Sequence, residues 1–522
     1  MKNDFLREMK NEFTLTHTEN GATVYSTTNN ACLDAFGSLG AMRFSDEADI
    51  IRMFSNAYYE DRELALKMAF YMRDIRGGQG QRRVFRTILK WLANNYPNDV
   101  INNLDNILYY GRGDDYLCLF GTDVEFPVLK KIKEIICNDI SSMMDGKECS
   151  LLAKWLPSEN ASSEETKKFA KKIINFMGIS PREYRKTLSG LRKYIDVTEV
   201  KMSANKWDKI NYNTVPAKAA MNYSDAFMRH DMDNYVDYLQ HLSVGRAKIN
   251  SASLFPVDIV HKVYEKYGHW DKKDRVVLDA MWKALPNYLE GKEETGICVV
   301  DTSGSMFGIP LEVAVSLGMY CADKCHGPFK NHFITFSSRP QLVELRGNDI
   351  VEKVHNICTI VEDTNIEAVF DLILRTAINN NCKQEDIPSK LYIISDMQFN
   401  EAQGYCDSSY YSYSYWYNTK PKPKPFMQIM RKKFEDAGYK MPTLIYWNVR
   451  ASKCGMFHEK FDGEDIAMVS GYSASLFKSI IEGTTYEETV DSKGNVTVKE
   501  KVDPVTVMLT TLNSERYSRV VC

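Results

Sequence analysis

The sequence predicts an α + α/β protein, with an all-helical N-terminal region followed by a doubly wound α/β domain. Two textures carry that expectation. From about 46 to 289 apolar residues recur at helical spacing almost without a break. After GKEET (291–295), short apolar runs alternate with amphipathic helices, as in a mostly parallel sheet. A third observation marks where ligand chemistry belongs. In GICVVDTSGSMFGIP (296–310) a buried-looking strand runs into small, oxygen-bearing residues and then into a helix with Pro310 in its first turn.

Residues 1–45, including THTENGATVYSTTNNACLDAFGS, are polar and rich in turn formers, and read as an extended N-terminal segment. The helical domain follows over 46–290. DRELALKMAFYMRDI sets Leu64, Met68, Met72 and Ile75 on one face. RRVFRTILKWLANNYP does the same with Val84, Phe85, Ile88, Leu89 and Leu92, and stops before Pro97. VLKKIKEIICNDI, KKFAKKIINFMG, DNYVDYLQHL and VDIVHKVYEKYG continue the pattern. Paired, such segments give hairpins of roughly 35–45 residues, the size of a HEAT-like repeat. Irregular helical packing fits the same spacing, because no crisp internal repeat recurs.

Over 291–522, GICVV, NHFITFS, QLVELRG, KLYIISDMQF, TLIYWNV and IAMVSG read as strands. SSRP makes a hairpin of the second and third. PLEVAVSLGMYCADK, DTNIEAVFDLILRTAI, FMQIMRKKFEDAG and ASLFKSII read as covering helices. The expected sheet has about six strands, one pair antiparallel, in a Rossmann-like arrangement.

A chain of 522 residues is too long for one core. Its 44% hydrophobic and 26% charged residues are ordinary for a globular protein. A net charge of −3 and a pI near 6.4 confine any nucleic-acid site to a local patch. Twelve cysteines without C-x-x-C pairing, and no leader-like start, point to free thiols and a cytoplasmic location. Cys321, Cys325 and His326 come nearest to a metal cluster, but at i, i+4 and i+5 they read as core and helix-end residues. No run of about 18 apolar residues exists, so no membrane partner is expected.

Three polar sites converge at the carboxyl edge of such a sheet. Asp301, Ser303 and Ser305 follow the first strand, Thr364 opens the helix of DTNIEAVF, and Asp396 ends KLYIISD. Hydroxyls and carboxylates make an all-oxygen site for a hard cation, Mg2+ or Mn2+. They are too few to fill an octahedron without water or a partner's carboxylate. D-x-S-x-S alone also reads as a helix-capping loop. The order D-x-S-x-S, then Thr, then Asp resembles the metal-ion-dependent adhesion site (MIDAS) of von Willebrand factor A domains. The strand–helix–hairpin–helix–strand order of 296–399 resembles that fold too. The resemblance implies that Ser303, Ser305 and Thr364 are ligands, directly or through water. It implies that Asp301 and Asp396 bind likewise and orient the hydroxyls.

A helical-repeat region ahead of an A domain resembles the Ro autoantigen (TROVE-module) family. There a ring of helical repeats, closed by the A domain, binds small structured RNAs and the single-stranded ends of defective ones. Four stretches are most similar to a poorly characterised family of that architecture found in plants, large viruses and phages. They are ELALKMAFYMRDIRGGQGQR (63–82), YGRGDDYL (110–117), YRKTLSGLRKYIDVTEVKMSANKWDKINYNTVPAKA (184–219) and VVDTSGSMFGIPLEVAVSLGMY (299–320). The resemblance spans most of the chain and transfers no RNA-contact residue.

Two basic stretches are candidates for RNA. RDIRGGQGQRR (73–83) sets Arg73, Arg76, Arg82 and Arg83 around a glycine-rich turn that can offer N–H groups and guanidinium forks to phosphate. The alternative is a helix connector whose arginines pair with acids such as Asp74. Without the Lys-Ser/Thr ending of a P-loop, nucleotide hydrolysis is not expected. KKFAKKIINFMGISPREYRKTLSGLRKY (167–194) offers Lys171, Lys172, Arg182, Arg185, Lys186, Arg192 and Lys193, with Tyr184 and Tyr194 between them. That composition suits phosphates and unstacked bases, or simply a solvated helix face. YGRGDDYL reads as an Arg–Asp pair closing a loop rather than as catalysis. CDSSYYSYSYWYNTKPKPKP (406–425) holds Tyr410, Tyr411, Tyr413, Tyr415, Trp416 and Tyr417. It should overhang the metal edge, as a recognition loop or as an insertion with no fixed role.

The function expected is a non-catalytic, Ro-like RNA-binding scaffold. It would take small structured RNA or single-stranded 3′ ends on basic helical surfaces, with a Mg-dependent A domain for a ligand or partner. The alternative is a metal-dependent protein–protein assembly module without RNA, whose partner offers the metal a carboxylate. No enzyme is expected, since no Ser/His/Asp or Cys/His set is suggestively spaced, and no DNA partner is expected.

Overall fold

The computed structural model describes residues 13–251, 253–265, 271–291, 295–336, 339–357, 365–399, 426–451, 457–458, 460–461, 463–490 and 496–522. They form two units. One comprises Met1–Ser45, Phe255–Tyr267 and Asn287–Thr511; the other comprises Asp46–Leu254, Gly268–Pro286 and Leu512–Cys522. The chain passes between them repeatedly, where the sequence suggests boundaries only at 45 and 290.

The first unit is a mixed sheet with helices. Its N-terminal part is not an extended segment. Strands β1 (Leu15–His17) and β2 (Thr23–Tyr25) pair antiparallel, and Asn30 caps the helix Ala31–Leu39 by accepting from the Leu33 N–H at 2.7 Å. That helix is apolar nearly all round and needs cover, which the central sheet provides. Ser470 at the end of one strand donates to the Phe36 carbonyl at 2.7 Å.

The central sheet holds β3 (Ile297–Asp301), β4 (His332–Phe336), β5 (Gln341–Glu344), β6 (Lys390–Ser395), β7 (Thr443–Asn448) and β8 (Ile466–Ser470) in the order β5-β4-β3-β6-β7-β8. Only β4 and β5 pair antiparallel. β3, β6 and β8 are buried along their whole length, which is why they read as continuous apolar runs. Phe477, on the helix Ser475–Glu482, joins Tyr320, Tyr392 and Trp447 in one aromatic core cluster, its ring 4.9–5.9 Å from theirs. The helix Pro256–Glu265 buries Ile259, Val260 and Val263 and packs on Ile309–Lys324, so it belongs here despite its position in the helical stretch. A further antiparallel pair, β9 (Thr485–Val490) and β10 (Val496–Lys501), follows β8.

From β3 the chain moves to β4 on one side and later returns to β6 on the other. The loops after β3 and β6 therefore leave side by side at a topological switch point, where open α/β sheets bind ligands.

The second unit is helical. Glu47–Glu60, Arg62–Arg73 and Arg82–Asn95 pack on one another. Every residue from Leu64 to Arg73 is buried, not one face only, because neighbouring helices surround a segment with small Ala65 and Ala69 at its contacts. The C-terminal residues are stitched into this unit. Arg516 forks onto the buried carboxylate of Asp74, with Nη2 donating to Oδ1 at 2.7 Å, and the Tyr517 hydroxyl donates to Asp74 at 3.2 Å. Among the described residues no helix is long and apolar enough to cross a membrane, and nine cysteines are free thiols.

Candidate metal centre and basic surfaces

Asp301 is the last residue of β3 and Asp396 follows the last residue of the adjacent, parallel β6. Both carboxylates are buried at the switch point. Asp301 accepts from the Ser395 hydroxyl at 2.5 Å and from the Ser303 N–H at 2.9 Å. Asp396 accepts from the Gln398 N–H at 3.2 Å and from the Ser305 hydroxyl. The Ser303 and Ser305 hydroxyls lie 3.1 Å apart. Burial pushes the Asp301 carboxyl up to about 7, with the charge of Asp396 adding to it and the Ser395 and Ser303 hydrogen bonds opposing. Burial raises Asp396 as well, against Ser305, the Gln398 N–H and Arg450.

These residues fit a hard divalent cation. Two adjacent buried carboxylates repel one another without a cation, and every donor is oxygen. Around Mg2+, neighbouring ligand oxygens stand about 3 Å apart, the spacing of the two serine hydroxyls. Among the described residues no group of three or more His, Cys, Asp or Glu side chains is placed to hold a metal, so any ion here depends on the serines. Thr364 lies outside the described residues, as do Tyr410, Tyr411, Tyr413, Tyr415, Trp416 and Tyr417.

Four neighbours escape sequence reading. Ser395 orients Asp301. Arg450, after β7, donates to the Ser305 carbonyl. The β1–β2 turn grips the loop after Asp396. There the Thr18 hydroxyl donates to the Phe399 carbonyl at 2.7 Å and the Glu19 N–H to Gln398 Oε1 at 2.8 Å, which brings the Glu19 charge to bear on Asp396. His458 is buried against Tyr446 and Phe399 with Nε2 3.2 Å from the Met397 carbonyl, supporting a Met397 held at φ 64°. Only KLYIISD, which puts Ser395 beside Asp396, carried a local hint. On the rim, Phe307 is 83% exposed, and Gly308 takes a φ of 88° that lets the loop turn into the helix.

The basic residues divide into two groups. Arg73 is not a surface cation: it is buried, with Nε 2.7 Å from Asp115 Oδ2. Arg192 is also committed, its guanidinium donating to the carbonyls of Ala153 at 2.8 Å and Leu156 at 2.9 Å. Lys172 pairs with Glu125 at 2.7 Å and Arg185 with Glu159 at 2.9 Å, both on the surface. Tyr184 is buried with its hydroxyl on the Pro157 carbonyl, so it offers no ring to a base. Arg76, Arg82, Arg83, Lys171, Arg182, Lys186 and Lys193 are exposed. Asp74, the acid expected to pair with nearby arginines, instead takes Arg516 from the far end of the chain.

In YGRGDDYL, Arg112 forks onto Asp114 at 2.6 and 2.9 Å while its N–H caps onto Asp115 at 2.9 Å. A Cβ on Gly111 would lie 2.5 Å from Asp115 Oδ2, which explains the glycine.

Residues 295–512 match the model of a domain of unknown function (DUF7788), and 18–137 with 149–293 match that of another domain of unknown function (DUF2828). The chain is 30% identical over 516 residues to an uncharacterized protein of Acanthamoeba polyphaga mimivirus, covering 90% of this chain and 85% of that one.

Proposed function

The chain belongs to the family of the mimivirus protein and the DUF2828 model, and from that premise we propose that it is a non-catalytic, metal-dependent binding protein. The mixed-sheet unit is a von Willebrand factor A-type domain. Asp301, Ser303, Ser305 and Asp396 hold Mg2+ or Mn2+, and Thr364 joins them by resemblance. The bound ion supplies an electrophilic position for a partner's carboxylate. The observation that carries this reading is the pair of buried carboxylates at the carboxyl ends of adjacent parallel strands at the switch point, with two serine hydroxyls beside them. The chain's own residues do the positioning. Ser395 and the Ser303 N–H aim Asp301, the Gln398 N–H aims Asp396, and the β1–β2 turn fixes the loop that carries it. Both carboxylates of the site would be committed to the ion and to their hydrogen bonds, leaving no further base to activate water, so the site holds and does not hydrolyse.

Affinity capture with the full chain, in Mg2+ and in chelator, tests the reading. Partners should be retained in Mg2+ and lost both in chelator and on Asp301→Ala bait. Partners indifferent to both treatments would overturn it.

A second reading is RNA binding by HEAT-like helical repeats, as in the Ro family. It is favoured by the exposed Arg182, Lys186 and Lys193 on the helix Pro181–Tyr194. A gel shift against structured RNA with a single-stranded 3′ end should show affinity falling steeply with salt, and no binding at low salt would remove this reading.

A further inference from the structure

The helical unit carries a charge imbalance that neither reading uses. Asp115, fully buried, takes Arg73 Nε and Arg86 Nε, each at 2.7 Å. Asp114 takes the Arg112 fork and Arg86 Nη2 at 2.9 Å. With both carboxylates satisfied, Arg82 still stands in the cluster, 3.7 Å from Asp114 and with 51% of its side chain exposed. Four guanidiniums thus meet two carboxylates, a surplus of two positive charges.

Arg82 and Arg83 also open the helix Arg82–Asn95, which has no acid in its first turn and no side chain on its cap. The positive end of the helix dipole adds to the surplus, where carboxylates are the usual occupants. Arg112 is held by a further contact. Its guanidinium lies over the Trp155 ring, 3.9 Å from the centroid, and the flanking Gly111 and Gly113 leave no room for a Cβ. Burial together with the charges of Arg112 and Arg86 makes the proton on Arg82 less tightly held than usual.

We propose that Arg82, Arg86 and Arg112, at the start of this helix, bind a terminal phosphate group. A phosphate monoester carries close to the two negative charges that the cluster lacks, and guanidinium forks match its oxygens. The site is separate from the metal centre and does not rest on the metal reading. The phosphate would come from a small phosphorylated compound or from a 5′-phosphorylated RNA end.

The test uses the full chain and a short single-stranded RNA labelled at its 3′ end, with either a 5′-phosphate or a 5′-hydroxyl, followed by anisotropy at fixed ionic strength. Inorganic phosphate and AMP are titrated separately by calorimetry. The 5′-phosphate should tighten RNA binding roughly tenfold, or AMP or inorganic phosphate should bind alone. The first outcome without the second assigns RNA ends, and the second assigns small phosphorylated ligands. Arg82→Gln should abolish whichever is seen, Arg82→Lys should keep part of it, and Arg346→Gln, at an exposed arginine paired with Glu344 in the mixed-sheet unit, should change nothing. Arg82 is peripheral, and unchanged urea unfolding of its variants checks their fold. Equal affinity for the two RNA ends with no heat from AMP or phosphate would overturn the proposal, as would full retention of binding in Arg82→Gln.

Discussion

A carboxylate as buried as Asp301, beside a second one at Asp396, is tolerable when a cation sits between them or a proton sits on one of them. With Mg2+ at about 100 times its dissociation constant, the mixed-sheet unit should gain about 2.7 kcal/mol of stability. Asp301→Asn or Asp396→Asn should lose that gain, as read from thermal unfolding in Mg2+ and in chelator. His458 makes a second prediction at this scale. Burial lowers its imidazole to about 4, below the 6.5 of an exposed histidine. A depressed value means that the unfolded chain takes up the proton first, so stability is present above pH 6.5 and is lost as pH falls toward 4. The loss amounts to on the order of 3 kcal/mol. The difference in urea-unfolding free energy between the native chain and His458→Gln should show this decline between pH 7 and 4, because the comparison cancels Asp301, whose raised carboxyl acts in the opposite direction. Asp301, Ser303 and Ser305 were legible because they crowd into five residues of one loop. Glu19, Arg450 and His458 were not, because only folding brings them to that edge from distant segments. Arg73 misled for a related reason: sequence displays its charge but not Asp115, its partner 42 residues on.

Among the elements, the loop of YGRGDDYL ties the helices Arg62–Arg73 and Arg82–Asn95 together through two aspartates. Asp115→Asn leaves Arg73 and Arg86 facing a neutral amide in the interior, and should cost the helical unit about 3–5 kcal/mol. Gly111→Ala must displace both Asp115 Oδ2 and the Ile107 carbonyl, and should cost about 1–3 kcal/mol through overpacking. Both follow from shifts in the urea midpoint. The strands of the central sheet were readable because parallel strands buried on both faces become apolar runs. β1 and β2 were not, being three residues each and rich in threonine, too short for alternation to register. The helix Ala31–Leu39 was hidden likewise. Nine residues that are apolar nearly all round show no amphipathic period.

At the scale of the whole molecule, sequence order and spatial membership part company. Residues 1–45 complete the mixed-sheet unit, and 512–522 complete the helical one. A sequence reading assigns neighbours in the chain to one domain, and nothing local in SERYSRVVC announces that Arg516 will neutralise Asp74. Truncation after 511 should therefore strand the buried Asp74 carboxylate and destabilise the helical unit by about 3–5 kcal/mol, while Mg2+ binding by the other unit persists. Proteolysis and metal titration of the truncated chain would separate the two effects. The most direct test of the metal centre is electron paramagnetic resonance of Mn2+ added to the full chain, which counts free ion. One Mn2+ bound per chain, displaced by Mg2+ and lost in Asp301→Asn, is the predicted result. Wild-type protein that leaves all Mn2+ free, or an Asp301→Asn variant that binds it equally well, would contradict the account.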